Sequence, residues 1–283
     1  MSSPSRPVTV LDKPAVLAGL FGVWRDLDAL AGELDASQFE TATSLPGWTV
    51  HDVIAHVVGT ESMLQGVETP EADIDVSTLE HVRNDIGVMN ERWVRKLREQ
   101  SAAELLETFR ATTAQRRQAL SDLSNTQWND VGFTPAGPDS YGRFMRVRIF
   151  DCWMHEHDIR DAIGAPASAG ELVGSAGDLA LDEMAASMGF VVGKLGGAPD
   201  GSRVSFELTG PLGRTINVAV DGKAKVVDDF GDDDPTSTIQ LDGLLFTRLA
   251  GGRKPLAEHA DAISYGGDEA VGRRIVEHLN YVI

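Results

Sequence analysis

Arg148-Ile149-Phe150-Asp151-Cys152-Trp153-Met154-His155-Glu156-His157-Asp158-Ile159-Arg160 is the stretch on which the reading of the first half of the chain turns. Asp151 and His155 stand four residues apart, so on a helix both project from one face, one turn from each other. Their surroundings are apolar, with Phe144, Val147, Ile149, Phe150, Trp153, Met154 and Ile159 in the same segment. The helix is expected from about Tyr141 to Ile163, stopped by Gly164 with Pro166 beyond. A carboxylate on such a helix is costly unless it is paired or bound to a metal. Two readings follow. Asp151 pairs with Arg148 at i−3 as an ion pair of the core, or it joins His155 in a metal site.

Carboxylate and imidazole suit a borderline divalent ion such as zinc, and three protein ligands leave a fourth position open for chemistry. His56, in Val53-Ile54-Ala55-His56-Val57-Val58, is the candidate third ligand. Arg148 lies on the same face as Asp151 and is the candidate for holding a carboxylate of a substrate. Asp158, three residues after His155, suits the role of acceptor for that imidazole's second N–H. The remaining histidines fit less well. His157 falls on another face, His51 points about 140° away from His56 on a shared helix, and His81, His259 and His278 have no spaced partner. Exposure to solvent is expected for all five. Cys152 is expected to be a small buried residue.

Around this helix the first half reads as helical throughout. Val16, Leu20, Val23, Trp24, Leu27, Leu30 and Leu34 form an apolar stripe from about Lys13 to Leu34. Leu45-Pro46-Gly47-Trp48 reads as a loop, and Thr49 with Asp52 as the capping box of the helix that carries His56. A third helical stretch is expected from near Ser77, interrupted at Ser101, where Glu104 completes another cap, and running on to Leu123. Turn residues dominate from Asn129 to Ser140. Four principal helices with helical connections fit an up-and-down bundle.

The second half changes period. After a helical segment at about Gly170 to Met188 come Val204 to Leu208 and Thr215 to Val220, both alternating with period two, with Gly210-Pro211-Leu212-Gly213 as the turn. Ala224 to Val227 and Thr238 to Leu241 are further strands, and helices return at Gly243 to Ala250 and Asp268 to Val282. The fold class is therefore α plus α+β, with domains expected at residues 1–168 and 169–283.

Composition narrows the function classes. A net charge of −18 argues against broad binding to nucleic acid or to an anionic membrane surface. One cysteine rules out an internal disulfide and a cysteine-based zinc site. The N-terminal residues lack the apolar core of a signal peptide, and no long apolar run occurs, so a cytoplasmic protein is expected. A monomer or homodimer is the expected state.

Leu45-Pro46-Gly47-Trp48-Thr49 followed by His56, together with the acid-x-x-x-His spacing of Asp151 and His155, resembles the mycothiol-dependent maleylpyruvate isomerase family, a DinB-like metal-binding four-helix bundle. The resemblance covers roughly residues 10 to 165 and implies zinc or another divalent metal at His56, Asp151 and His155, with mycothiol as thiol cosubstrate. One departure stands out: Asp151 occupies the place of a glutamate in the characterised isomerases. Asp242-Gly243-Leu244-Leu245-Phe246-Thr247-Arg248-Leu249-Ala250-Gly251-Gly252-Arg253 is similar to part of the sterol-carrier-protein-like (SCP2-like) domain that often follows such a bundle. The implied activity is an S-transferase or isomerase in which a zinc-bound thiolate attacks a small electrophile. Two alternatives stand beside it. One is a metal-dependent hydrolase at the same ligands with Glu61 or Glu156 as base; the other is a non-enzymatic small-molecule or lipid-binding protein.

Overall fold

The computed structural model describes residues 7–282 and divides into two compact units, Met1–Pro166 and Ala167–Ile283. Five long helices make up the first unit: α1 (Lys13–Gly32), α2 (Val50–Met63), α3 (Asp85–Leu97), α4 (Ala102–Asp122) and α5 (Tyr141–Ile163). Their starts follow the expected local chemistry. Thr49 and Asp52 close a capping box on α2, and Ser101 and Glu104 close one on α4. At the end of α5, Gly164 takes a left-handed conformation with φ 67°.

The bundle is formed by α1, α2, α4 and α5, with α1 packed on α4 and α5, and α2 packed on the same two helices. Trp24, Leu27, Val53, Ile54, Phe109, Leu120, Met145 and Ile149 are buried where they meet. The remaining helix, α3, packs against α2 outside the four. Gly59 makes that approach possible, because a Cβ there would fall on the Trp93 side chain, 2.6 Å from its Cγ. The helix expected from Ser77 is shorter than its sequence pattern: Val76–Thr78 form one 3₁₀ turn, and α3 begins only after Asn84, whose side chain caps Gly87 N–H. The turn-rich stretch holds a two-residue antiparallel pair, β1 (Val131–Gly132) with β2 (Asp139–Ser140).

After a short helical turn at Ala169–Leu172, the second unit contains α6 (Ser175–Phe190), β3 (Arg203–Thr209), β4 (Arg214–Asp221), β5 (Lys223–Val227), β6 (Ser237–Asp242), α7 (Gly243–Ala250), β7 (Ser264–Gly267) and α8 (Glu269–Glu277). The sheet order is β5-β4-β3-β6-β7, parallel only between β3 and β6. Phe206 pairs with Ile216 on one side and Ile239 on the other, and its ring meets Phe246 of α7 at 5.9 Å. The alternation in β3, β4 and β6 therefore builds one face of a core. The edge strand β7, Ser264-Tyr265-Gly266-Gly267, has no such alternation and forms through its pairing with β6. Among the described residues no helix is long and apolar enough to cross a membrane.

Candidate metal site

Thr49 starts α2 one residue after the loop that ends in Trp48, and the loop is held rigidly. Gly47 takes φ 79°, Trp48 N–H donates to Leu45 O at 3.1 Å, and Thr43 donates to Trp48 O through both its N–H and its hydroxyl. Arg98 of α3 clamps the same turn, reaching Gly47 O and both oxygens of Asp52. This lays the Trp48 indole across the start of the bundle, 5.3 Å from the His56 ring and 6.3 Å from that of His155. The indole N–H donates to Glu91 at 3.0 Å, and the same carboxylate oxygen lies 3.2 Å from His81 Nε2.

Under that indole α2 and α5 bring three side chains together. His56 Nε2 lies 3.2 Å from Asp151 Oδ2, and His155 Nε2 lies 3.5 Å from Asp151 Oδ1. One ligand atom from each of the three falls within 4.8 Å of the others. Ligands around a tetrahedral zinc at about 2.0–2.1 Å stand roughly 3.3 Å apart, and the two measured separations bracket that value. The imidazoles are buried, whereas the Asp151 side chain is 30% exposed, so the cluster opens to solvent on the aspartate side.

The donor chemistry is compatible with a cation. His155 Nδ1 lies 3.0 Å from Asp158 Oδ2, and a buried carboxylate can only accept, so Nδ1 carries the proton. That leaves the Nε2 lone pair facing the lone pairs of Asp151 Oδ1, a pair of acceptors that needs either a second proton or a metal between them. The ionisation states differ among the three. Burial pushes His56 below its ordinary value, although Asp151 pulls against it. Burial also opposes charge on Asp151, yet Arg148 and the two imidazoles hold its carboxyl well below the usual range. For His155 the penalty of burial is outweighed by Asp151 and Asp158, which raise it. A neutral His56 and an ionised Asp151 are ready ligands, and His155 becomes one on giving up a proton. Among the described residues His56 Nδ1 has no hydrogen-bond partner, so packing against Trp48 orients that ring where Asp158 orients His155.

Arg148 is buried beside the cluster. Its Nε donates to Glu61 Oε1 at 2.8 Å, Nη1 pairs closely with Asp151 Oδ2, and Nη2 lies 3.5 Å from Cys152 Sγ. The ion pair of Asp151 with Arg148 and the His-Asp-His cluster thus exist together; they are not alternatives. Glu61 is fully buried and also accepts from Arg116 Nε at 2.9 Å, while Glu156 accepts from Arg160 Nε at 2.8 Å. Both carboxylates considered as hydrolytic bases are therefore tied to arginines. Cys152 is buried against Arg148, and burial pushes its thiol up to about 12.

Two of the histidines expected on the surface are buried. His51 lies against Phe39 with its Nε2 3.0 Å from Gln100 O, and His157 packs edge-on to Trp153 at 4.2 Å. Each points away from the His56–Asp151–His155 cluster, as its offset along the helix requires, but into a neighbouring contact instead of into solvent. The Trp48–Glu91–His81 group and the Arg116–Glu61 pair went unrecognised in the sequence. Their members come from separate elements with no common spacing, so only the packing brings them together.

Comparison with known proteins bears on both units. The model of the mycothiol maleylpyruvate isomerase N-terminal domain matches residues 20–160, and that of the corresponding C-terminal domain matches residues 178–274. The chain is 28% identical over 193 residues to an uncharacterized protein of Mycobacterium tuberculosis, found in strains H37Rv and CDC 1551, covering 67% of this chain and 71% of that one. The crystal structure of the mycothiol-dependent maleylpyruvate isomerase superposes at a TM-score of 0.59 with 18% identity, covering 90% of this chain and 93% of that one. A histidine-to-alanine mutant of that enzyme superposes at 0.58. At this identity the likeness is one of fold. The match to a UbiJ-SCP2 ubiquinone synthesis protein, at a TM-score of 0.24, carries no argument about the second unit.

Proposed function

The chain belongs to the mycothiol maleylpyruvate isomerase family, and from that premise we propose that it is a mycothiol-using isomerase or S-transferase whose His56, Asp151 and His155 hold a zinc ion. The observation that carries the reading is the convergence of these three side chains from two helices, at separations suited to one small ion. Zinc held by these residues would supply a Lewis acid able to lower the pKa of a thiol toward neutrality. Two neutral imidazoles and one carboxylate would leave such an ion with a net positive charge, which would favour an anionic sulfur over a neutral donor.

The chain's own residues have separable tasks in this reading. Asp158 holds the His155 ring with Nε2 turned toward Asp151, where it would be free to hold the ion, and Trp48 covers both imidazoles. Asp151 marks the open side, from which thiol and electrophile enter. Arg148, expected to anchor a substrate carboxylate, is assigned instead to holding Asp151 in place. Cys152, buried and with a raised pKa, is unsuited to supplying the sulfur, so the thiol comes from a cosubstrate. The hydrolase alternative is disfavoured because Glu61 and Glu156 are both paired with arginine.

Metal analysis of the chain purified without chelator, beside His155→Ala, tests the proposal. About one zinc per chain is expected, lost in the variant, together with turnover of an activated alkene or epoxide only when thiol is added. A wild-type chain that takes up no zinc, or turnover that ignores thiol, refutes it.

A further inference from the structure

We infer that Glu61 is a positioning residue that sets the strength of the metal centre by drawing the Arg148 charge away from Asp151. The inference rests on the reading of His56, Asp151 and His155 as a zinc site. Four charged side chains from three helices form one alternating row: Arg116 of α4, Glu61 of α2, then Arg148 and Asp151 of α5. Arg116 Nε lies 2.9 Å from Glu61 Oε2, Glu61 Oε1 lies 2.8 Å from Arg148 Nε, and Arg148 Nη1 meets Asp151 Oδ2. The first three are buried, and only Asp151 at the end reaches solvent.

In this low-dielectric setting each member competes for its neighbours. Asp151 Oδ2 is shared between Arg148 and the side facing His56, so a guanidinium that leans fully on Asp151 withholds that carboxylate from a cation. Glu61 engages the Nε edge of the same guanidinium and offsets its charge. Arg116 in turn offsets Glu61, with a further contact to the Tyr141 hydroxyl at 3.2 Å. The effect on the metal therefore alternates in sign along the row. Removing the Glu61 charge strengthens the hold of Arg148 on Asp151 and weakens the metal. Removing the Arg116 charge leaves Glu61 wholly to Arg148 and tightens it. A network that only staples the three helices together would lower stability in both cases and change metal affinity in neither.

The test is zinc titration of the full chain against a chromophoric chelator, for wild type, Glu61→Gln, Arg116→Gln and the double variant, with circular dichroism of each metal-free protein. Glu61→Gln keeps the shape of the side chain and is expected to raise the zinc Kd about 10- to 100-fold, the range seen when groups behind a metal ligand are altered. Arg116→Gln is expected to lower it, and the double variant to return it toward wild type. Kd values that do not move, or that move in the same direction in both single variants, overturn the inference while leaving the zinc site standing. A wild-type chain that binds no zinc overturns the site itself and this inference with it. Arg116→Gln retains the Glu61–Arg148 pair, so its predicted tightening decides the question even if Glu61→Gln does not fold.

Discussion

Substituting Gly59 by alanine is expected to separate α3 from the bundle. Gly59 sits in the middle of α2, where alanine has the better intrinsic propensity, so a solvent-facing position would gain stability. Here the added Cβ would lie 2.6 Å from Trp93 Cγ and closer still to its Cβ. Ordinary carbon contacts stand at about 3.5–4.0 Å, so the two helices must part by about 1 Å or Trp93 must leave its pocket. Trp93 is buried and its indole is rigid, which puts the cost near the upper end of the range for overpacked cores, about 3 kcal/mol. For a unit of this size that corresponds to a fall in melting temperature of roughly 6–12 °C. All five tryptophans, Trp24, Trp48, Trp93, Trp128 and Trp153, lie in the first unit, so urea titration followed by indole fluorescence reads the bundle alone. Because α3 also carries Glu91, which holds Trp48 over the imidazoles, the proposed zinc site predicts weaker zinc binding in the variant as well. A stability within about 0.5 kcal/mol of wild type, the span of an ordinary surface change, would refute the packing argument.

Two further outcomes are expected. Asp139 accepts from Thr9 N–H and hydroxyl, Ser140 N–H and Arg143 Nη1; burial opposes its charge, but these donors hold it well below the usual carboxylate range. Its contribution is therefore present above the unfolded carboxyl value near 4 and lost as pH falls toward the folded one. Asp139→Asn should cost about 3 kcal/mol at pH 7, and urea titration at pH 3.5 should show a narrower gap; an equal gap at both pH values would contradict it. Cys152, with its thiol near 12 and no exposure, should resist a disulfide reagent in the native chain and react as one thiol per chain in denaturant. Rapid native labelling would show that the core around Arg148 opens.

The N-terminal caps, the stop at Gly164 and the period-two strands were legible because each depends on contacts within a few residues. The limits of the third helix were not. The pattern from Ser77 is periodic enough for a helix, but the chain turns once and restarts at Asn84, where a cap is available. β7 escaped notice because Ser-Tyr-Gly-Gly has no strand pattern of its own and borrows its conformation from β6. His51 and His157 were expected in solvent because spacing shows which face a residue occupies and says nothing of what covers that face.

What the sequence by itself determined was the helical character of the first half, the strands of the second, and the pairing of Asp151 with His155, all consequences of fixed helical and strand periods. The tertiary structure alone decided that His56 meets that pair, that Trp48 covers the imidazoles, and that Arg148 is shared between Asp151 and a buried Glu61. The contacts of His56 with Asp151, Arg148 with Glu61 and Trp48 with His155 join residues 87 to 107 positions apart, and no local rule relates such distant positions until the helices pack.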